Sequence, residues 1–158
     1  MKLILIVAVG KNNEIGKDNN LIWHIKEDLQ FFKNMTINQK ILMGKNTFLS
    51  FPKPLKDRKH IVISTSLELE DKSIEVFRSI DEFFDTYKDS EEEIYVIGGA
   101  SIYKAFLPLC EELYITEIDN SFEADTYFPE FDKSMYDKEE LSSFDEPYKY
   151  KHVLYKKR

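Results

Sequence analysis

Residues 3–9, Leu-Ile-Leu-Ile-Val-Ala-Val, form an unbroken apolar run rich in β-branched side chains. A strand with no polar face is stable only when both faces are covered, which points to the interior of a parallel sheet. Shorter runs recur at Lys40–Met43, His60–Ser64, Glu93–Ile97 and Leu113–Ile118, and helical patterns fall between several of them. That alternation predicts an α/β fold with a largely parallel sheet and crossover helices. Ser79-Ile-Asp-Glu82 has the form of a capping box opening a helix to about Tyr87, with Ile80, Phe83 and Phe84 on its inner side. Ala100–Leu107 reads as a further helix stopped by Pro108. The stretch Asp132–Tyr150 is acidic and aromatic with weak periodicity, and Lys151–Tyr155 alternates like a terminal strand.

A chain of 158 residues with no internal repeat and no Gly/Ser linker is expected to form one domain, 1–158. Its net charge of −7 argues against nucleic acid or an anionic membrane as partner. The apolar run at 3–9 is too short to span a bilayer, and no signal-peptide pattern follows it. Cys110 is the only cysteine, so no intrachain disulfide forms and a reducing cytoplasm is the expected compartment. It has no neighbouring His, and a semi-buried structural thiol is the better reading than a nucleophile.

The segment Ile25–Met35 carries a misplaced charge. At about 100° per residue, Ile25, Leu29, Phe31, Phe32 and Met35 make one apolar arc, and Lys26, Glu27, Gln30, Lys33 and Asn34 take the other side. Asp28 falls near the middle of the apolar arc. Two readings stand: an acid complementing the first-turn N–H groups and dipole, or an acid placed to bind a cationic or amidine-like ligand. An isolated buried charge would cost several kcal/mol, so the side chain must find partners. The long polar connection 10–24, which ends on Trp23, fits a lid over such a pocket and a plain surface loop equally.

Glu93-Ile-Tyr-Val-Ile-Gly-Gly-Ala is strand, double glycine, helix start. Gly98 and Gly99 would let a phosphate approach a helix N-terminus, although a structural tight turn explains them as well. Lys45-Asn46-Thr47 and Ser64-Thr65 also follow expected strands, and ligands of open α/β sheets bind at the carboxyl ends of strands. His24, His60 and His152 have no metal-ligand spacing, and no Ser-His-Asp arrangement is visible along the chain.

Taken in order, Ile15-Gly16, Leu21-Ile-Trp-His-Ile-Lys-Glu-Asp-Leu29, Phe32-Lys33, Thr36, Met43–Phe48, Pro54-Leu55, Arg58, Val96–Gly99, Tyr114–Ile118 and Ala124–Pro129 resemble the dihydrofolate reductase family over residues 3–130. The resemblance implies a single-domain eight-stranded, mostly parallel sheet with an antiparallel C-terminal edge and four flanking helices. It implies reduction of 7,8-dihydrofolate with NADPH. Asp28 matches the acid that hydrogen-bonds the pteridine, supported by Thr116, with Trp23 and Leu21 at the catalytic loop. Ile6, Val7 and Phe32 match positions packing on the pterin, Phe51 and Leu55 the p-aminobenzoyl wall, and Arg58 the clamp on the glutamate carboxylate.

For the cofactor, Ala8, Ile15, Gly16 and Asn19 match contacts around the nicotinamide. Ile97, Gly98, Gly99, Ala100, Ser101, Ile102 and Tyr103 match the pyrophosphate and nicotinamide surround. Lys45, Asn46, Thr47, Ser64 and Thr65 match the phosphate-binding turns, with Arg78 near the adenosine. Residues 10–24 match the family's mobile active-site loop, and Gly98-Gly99 its cis peptide. Two departures stand out: Ile22 replaces a proline common in relatives, and Lys45 replaces the commoner arginine, keeping charge but losing bidentate geometry. A related reductase of riboflavin biosynthesis and a non-catalytic pterin- or nucleotide-binding module are the rival readings. A monomer is the default oligomeric state.

Overall fold

The structure, a computed structural model, describes residues 1–158 apart from 18, 19 and 22, and residues 20 and 21 by their backbone. In chain order the elements are β1 (Lys2–Val9), β2 (Glu14–Lys17), β3 (Asn20–Leu21), α1 (Lys26–Thr36), β4 (Lys40–Gly44), α2 (Lys45–Ser50), β5 (Lys59–Ile63) and β6 (Glu75–Phe77). There follow α3 (Ile80–Tyr87), β7 (Glu93–Gly98), α4 (Ala100–Phe106), β8 (Glu112–Ile118), β9 (Thr126–Tyr127), β10 (Tyr136–Phe144) and β11 (Tyr150–Lys157). Eight strands form one sheet in the order β10-β11-β8-β1-β7-β4-β5-β6, and β3-β2-β9 make a small second sheet.

All pairings from β8 through β6 are parallel, whereas β11 runs antiparallel to both β8 and β10. The apolar run at 3–9 is the axis of this arrangement. β1 lies between β7 and β8, and all its residues from Leu3 to Val9 are buried except the half-buried Ala8. One face packs on Phe83, Tyr87, Tyr103 and Phe106 from the helices, and the other on Ile41, Met43, Phe48 and Tyr95. Each such side chain removed from water contributes about 1.5–3 kcal/mol, which is what holds a strand of this composition in the middle of the sheet.

The capping box of α3 is real but shifted. Ser79 Oγ accepts from the Glu82 N–H at 3.1 Å, and Glu82 reaches back to the Arg78 N–H, one residue before the cap, at 2.9 Å. Helix α4 ends at Phe106, with Pro108 inside a following 3-10 turn. Cys110 is fully buried, and burial pushes its thiol up to about 12, so it is inert as well as alone.

Two features of the sequence reading change. The weakly periodic tail contains a nine-residue strand, β10, whose side chains are largely exposed because it is the outermost strand and has a neighbour on one side only. An edge strand facing water carries no apolar alternation to read. Within 10–24, β2 pairs with β3 and with β9, so this connection is partly sheet.

Candidate active site

The carboxyl ends of β1, β4, β5, β7 and β8 lie along one edge, and the sheet opens there between β1 and β7. Their ladder stops at Leu5–Val96, while β1 stays paired with β8 as far as Val9–Glu117. Past Leu5, the carbonyls of Ile6 and Ile97 are left without strand partners across the gap. The buried Tyr103 hydroxyl lies 2.9 Å from each of them. One hydroxyl hydrogen cannot fully satisfy two carbonyls, so acceptor capacity remains in the gap for ligand N–H groups. Burial drives the Tyr103 pKa strongly upward, which keeps it a donor.

Helix α1 lies on the face of the sheet that carries Ile4, Ile6, Ile41 and Tyr95. Its apolar arc is only partly covered: Ile25 is buried, Phe31, Phe32 and Met35 are half-buried against the core of the sheet, and Leu29 is 48% exposed. Phe31, Phe32 and Met35 form one wall of a cleft beside Ile6 and Tyr114. Asp28 projects from that wall with 17% of its side chain exposed. Thr116, buried on β8, donates to Asp28 Oδ1 at 2.6 Å. His152 Nε2, from β11, lies 3.2 Å from the same oxygen, and His152 Nδ1 is 3.0 Å from Ser142 Oγ. Two strands and a helix bring Ser142, His152 and Asp28 together from positions as far apart as 28 and 152, a separation no local motif displays. This set is not a hydrolytic triad, since His152 is 4% exposed and turns Nε2 to the acid and Nδ1 to the serine, the reverse of the triad order.

Along the cleft, Phe51 and Leu55 continue the apolar wall. His60, buried beneath them, accepts the Leu55 N–H on Nε2 at 3.0 Å, and burial lowers its pKa, keeping the ring in the neutral accepting form. Arg58 is half-buried, donating to Lys56 O at 3.0 Å and Thr36 Oγ1 at 3.3 Å. No carboxylate among the described residues forms an ion pair with it, and burial lowers its pKa. A guanidinium held in this way is available to an anionic ligand group. A hollow of about 480 Å³ behind Arg58, lined also by Lys40, Lys59 and Glu75, contains neither Asp28 nor the glycine turn. Its Lys40 is already committed to Glu92 and Tyr87.

On the other side of the gap the backbone itself forms the surface. A Cβ at Gly98, whose φ is +115°, would come within 3.0 Å of the Tyr103 ring, and one at Gly44 within 3.2 Å of Ile102. Gly44 and Gly99 are the N-caps of α2 and α4, and neither helix start is capped by a side chain. The N–H groups of Lys45, Asn46, Ala100 and Ser101 therefore border the cleft edge without side-chain acceptors, with Thr47 Oγ1 3.5 Å from a Cβ built on Gly99. The Gly98-Gly99 peptide is cis. Lys45 Nζ donates to Ser66 Oγ at 3.0 Å, joining the ends of β4 and β5 beside the exposed Thr65.

Ser64 and Arg78 are internal to this turn. Ser64 Oγ accepts from the N–H groups of Ser66 and Leu67, and Arg78 Nη1 donates to Ser64 O at 3.0 Å and Leu67 O at 2.7 Å. These two therefore shape the loop. The polar edge of the loop is formed by Thr65 and Ser66, the second of which the sequence reading missed.

The described residues of the connection 10–24 pack against Ile118, Phe122 and β9. Trp23 is buried edge-on against Phe122 at 4.2 Å, and its Nε1 has no hydrogen-bond partner among the described residues. Ile15 is buried, and Gly16 O accepts from the Asp125 N–H at 3.1 Å. Asn19 and Ile22 lie outside the described residues, and for Leu21 the structure gives its backbone pairing with Gly16. Glu14 carried no signal in the sequence, yet it ties this segment down. It is 2% exposed and accepts from the Asn12 N–H at 2.6 Å and the Phe122 N–H at 2.7 Å. Burial alone would raise its pKa, but these backbone donors outweigh it and hold the carboxyl below the usual range.

Known proteins resemble this chain over nearly its whole length. The family model described as dihydrofolate reductase matches residues 2–157. The chain belongs to the dihydrofolate reductase family. The Bacillus subtilis dihydrofolate reductase is 40% identical over 157 residues, covering 97% of this chain and 93% of that protein. The Staphylococcus haemolyticus dihydrofolate reductase is 38% identical over 129 residues, covering 82% and 77%. Among solved structures, Enterococcus faecalis dihydrofolate reductase complexed with NADP(H) superimposes with a TM-score of 0.86 at 31% identity, over 99% of this chain and 96% of that one. The dihydrofolate reductase fold is thus present from β1 to β11, including the edge hairpin that lay beyond the region of sequence resemblance.

Proposed function

We propose that this family member reduces 7,8-dihydrofolate to 5,6,7,8-tetrahydrofolate with NADPH, supplying reduced folate for one-carbon metabolism. The observation that carries the proposal is Asp28, an acid set among the apolar side chains of α1 and held by Thr116 of β8, the strand next to β1. In this reading Asp28 binds the pteridine ring, with Ile6, Val7 and Phe32 packing on its faces. Phe51 and Leu55 line the p-aminobenzoyl group, and Arg58 takes the glutamate carboxylate.

NADPH fits the opposite rim, where a Cβ at Gly44 or Gly98 would crowd Ile102 or Tyr103 and the uncapped N-termini of α2 and α4 leave backbone N–H groups without side-chain acceptors. Gly98 to Tyr103, with Ala100, Ser101 and Ile102 between them, surround its pyrophosphate and nicotinamide. Ala8, Ile15 and Gly16 adjoin the nicotinamide, and Asn19 is placed there by resemblance alone. Lys45, Asn46, Thr47, Thr65 and Ser66 take the adenosine-side phosphates, with Ser64 and Arg78 bracing their turn. When bound, the cofactor supplies the hydride that reaches C6 of dihydrofolate while N5 gains a proton.

The chain's own part is orientation, exclusion of water and control of charge. Asp28 holds the pteridine tautomer from the N3 side, and a water beneath the Trp23–Leu21 loop delivers the N5 proton. The buried Trp23 N–H, which would otherwise cost about 1–3 kcal/mol, finds its acceptor in that water or in the substrate. Arg58 and Lys45 provide the anion sites that an acidic protein must place locally. No helix among the described residues is long and apolar enough to cross a membrane, and we place the enzyme in the cytoplasm as a monomeric single domain.

The test is NADPH oxidation with dihydrofolate as the acceptor, repeated with NADH and with the pyrimidine substrate of the riboflavin-pathway reductase. Turnover with dihydrofolate that falls at least about a hundredfold in Asp28→Asn while NADPH binding persists is the expected result. No oxidation with dihydrofolate, or near-normal turnover in Asp28→Asn, would overturn the reading.

A further inference from the structure

We propose that His152, oriented by Ser142, is a positioning residue that holds the Asp28 carboxylate in its substrate-binding orientation. The inference rests on the functional reading of Asp28 above and assigns a role to the C-terminal edge hairpin, which that reading leaves without one.

Three side chains form a row across adjacent strands. His152 on β11 is directly opposite Thr116 on β8, and Ser142 on β10 is opposite His152. Residues directly opposite one another project to the same face, so the row forms one polar rib ending beneath Asp28. The rib depends on an irregularity. The β10–β11 register shifts between Glu140 and Ser142, so Leu141 is skipped and left 41% exposed. In unbroken register, Leu141 would stand opposite His152. Bulges of this kind re-aim side chains beside active sites, and here the bulge delivers a hydroxyl where an apolar group would otherwise fall.

The hydrogen-bond directions follow from the chemistry of each group. As a carboxylate Asp28 only accepts, so a neutral His152 must carry its proton on Nε2, 3.2 Å from Asp28 Oδ1. His152 Nδ1 then accepts from Ser142 Oγ, 3.0 Å away, and that bond selects the tautomer. Oδ1 thus receives two donors from the sheet, Thr116 and His152, and Oδ2 takes no hydrogen bond from a described residue. Two donors on one oxygen fix the carboxylate plane and reserve the second oxygen for the ligand. The imidazole is itself held by stacking on Phe31, with centroids 4.0 Å apart and planes 13° from parallel. Phe144 closes the far side edge-on at 5.8 Å. Packing alone would be met as well by a phenyl ring at 152; the ring nitrogens are used for Asp28 and Ser142.

The experiment compares His152→Phe, His152→Gln and Ser142→Ala in steady-state kinetics with NADPH and dihydrofolate. His152→Phe keeps the stacking and removes the donor, so KM for dihydrofolate rises about tenfold while kcat falls less than about threefold and NADPH affinity is unchanged. His152→Gln restores an N–H donor and brings KM back to within about twofold of the parent, and Ser142→Ala raises KM by a smaller factor in the same direction. In an Asp28→Asn background, His152→Phe adds no further loss, because its effect passes through Asp28. A merely structural His152 would lower kcat and the number of NADPH sites together at constant KM. That pattern, or a parental KM in His152→Phe, overturns the proposal. If His152→Phe does not fold, His152→Leu takes its place in the same comparison with His152→Gln. An unmodified chain inactive on dihydrofolate would instead refute the functional reading itself, so the two failures are distinct.

Discussion

Thr116 and Asp28 lie 88 positions apart in the chain, and the Thr116 hydroxyl donates a 2.6 Å hydrogen bond to Asp28 Oδ1. Thr116 is buried and Asp28 faces the cleft, so the bond runs from the sheet interior to the ligand site. Thr116→Val keeps the shape and removes the donor. The expected outcome is a loss of about tenfold in kcat/KM for dihydrofolate, smaller than that of Asp28→Asn because His152 still holds the carboxylate. Steady-state kinetics on the two variants side by side checks the order.

Tyr103→Phe removes the hydroxyl shared by the Ile6 and Ile97 carbonyls. Both acceptors are then left buried without that donor, and the fold should lose about 1–3 kcal/mol in urea unfolding. Saturating NADPH should recover part of the loss if the cofactor supplies donors to the same gap. An unfolding midpoint identical to that of the parent would show that the hydroxyl does not tie the strands.

Glu14 makes stability depend on pH with a definite sign. Its folded pKa lies below the unfolded value, so its contribution is fully present above the unfolded carboxylate pKa and is lost as pH falls through the folded one. The stability gap between the parent and Glu14→Gln should therefore be largest near about pH 6 and shrink toward about pH 3. Urea unfolding at several pH values measures it. A gap that widens on acidification would contradict the backbone-donor account.

Lys45 stands at the exposed start of α2, beside Ser66. If it meets the 2′-phosphate, Lys45→Gln raises KM for NADPH by about tenfold and leaves KM for NADH almost unchanged. Lys45→Arg should keep or improve the preference, since a guanidinium binds phosphate through two parallel bonds. Equal effects of Lys45→Gln on both cofactors would place the phosphate elsewhere.

Periodicity was a good guide wherever burial is one-sided or complete. The runs at 3–9, 40–43, 60–64, 93–97 and 113–118 all became strands, and the α3 box was recognisable because capping is a local interaction. Strand β10 stayed hidden because its side chains face water, and β6 because three residues hold too little pattern to read. Leu29 lies on the apolar arc read from helical spacing, yet it is exposed, whereas Phe31, Phe32 and Met35 of the same arc pack against the core of the sheet. Glu14 and Ser66 gave no signal, since their roles come from backbone groups brought to them by distant turns.

By itself the sequence determined that Asp28 is out of place: a charged residue on an apolar arc is a local contradiction, visible from helical spacing alone. It also determined the class of fold and the glycines that bring backbone to the strand ends. Which groups resolve that contradiction was decided by tertiary structure. Thr116 and His152 reach Asp28 only because β8 and β11 pair in one register, and Ser142 joins them only because β10 skips Leu141. Strand register is a non-local property set by packing over the whole sheet, and no stretch of sequence near residue 28 encodes it.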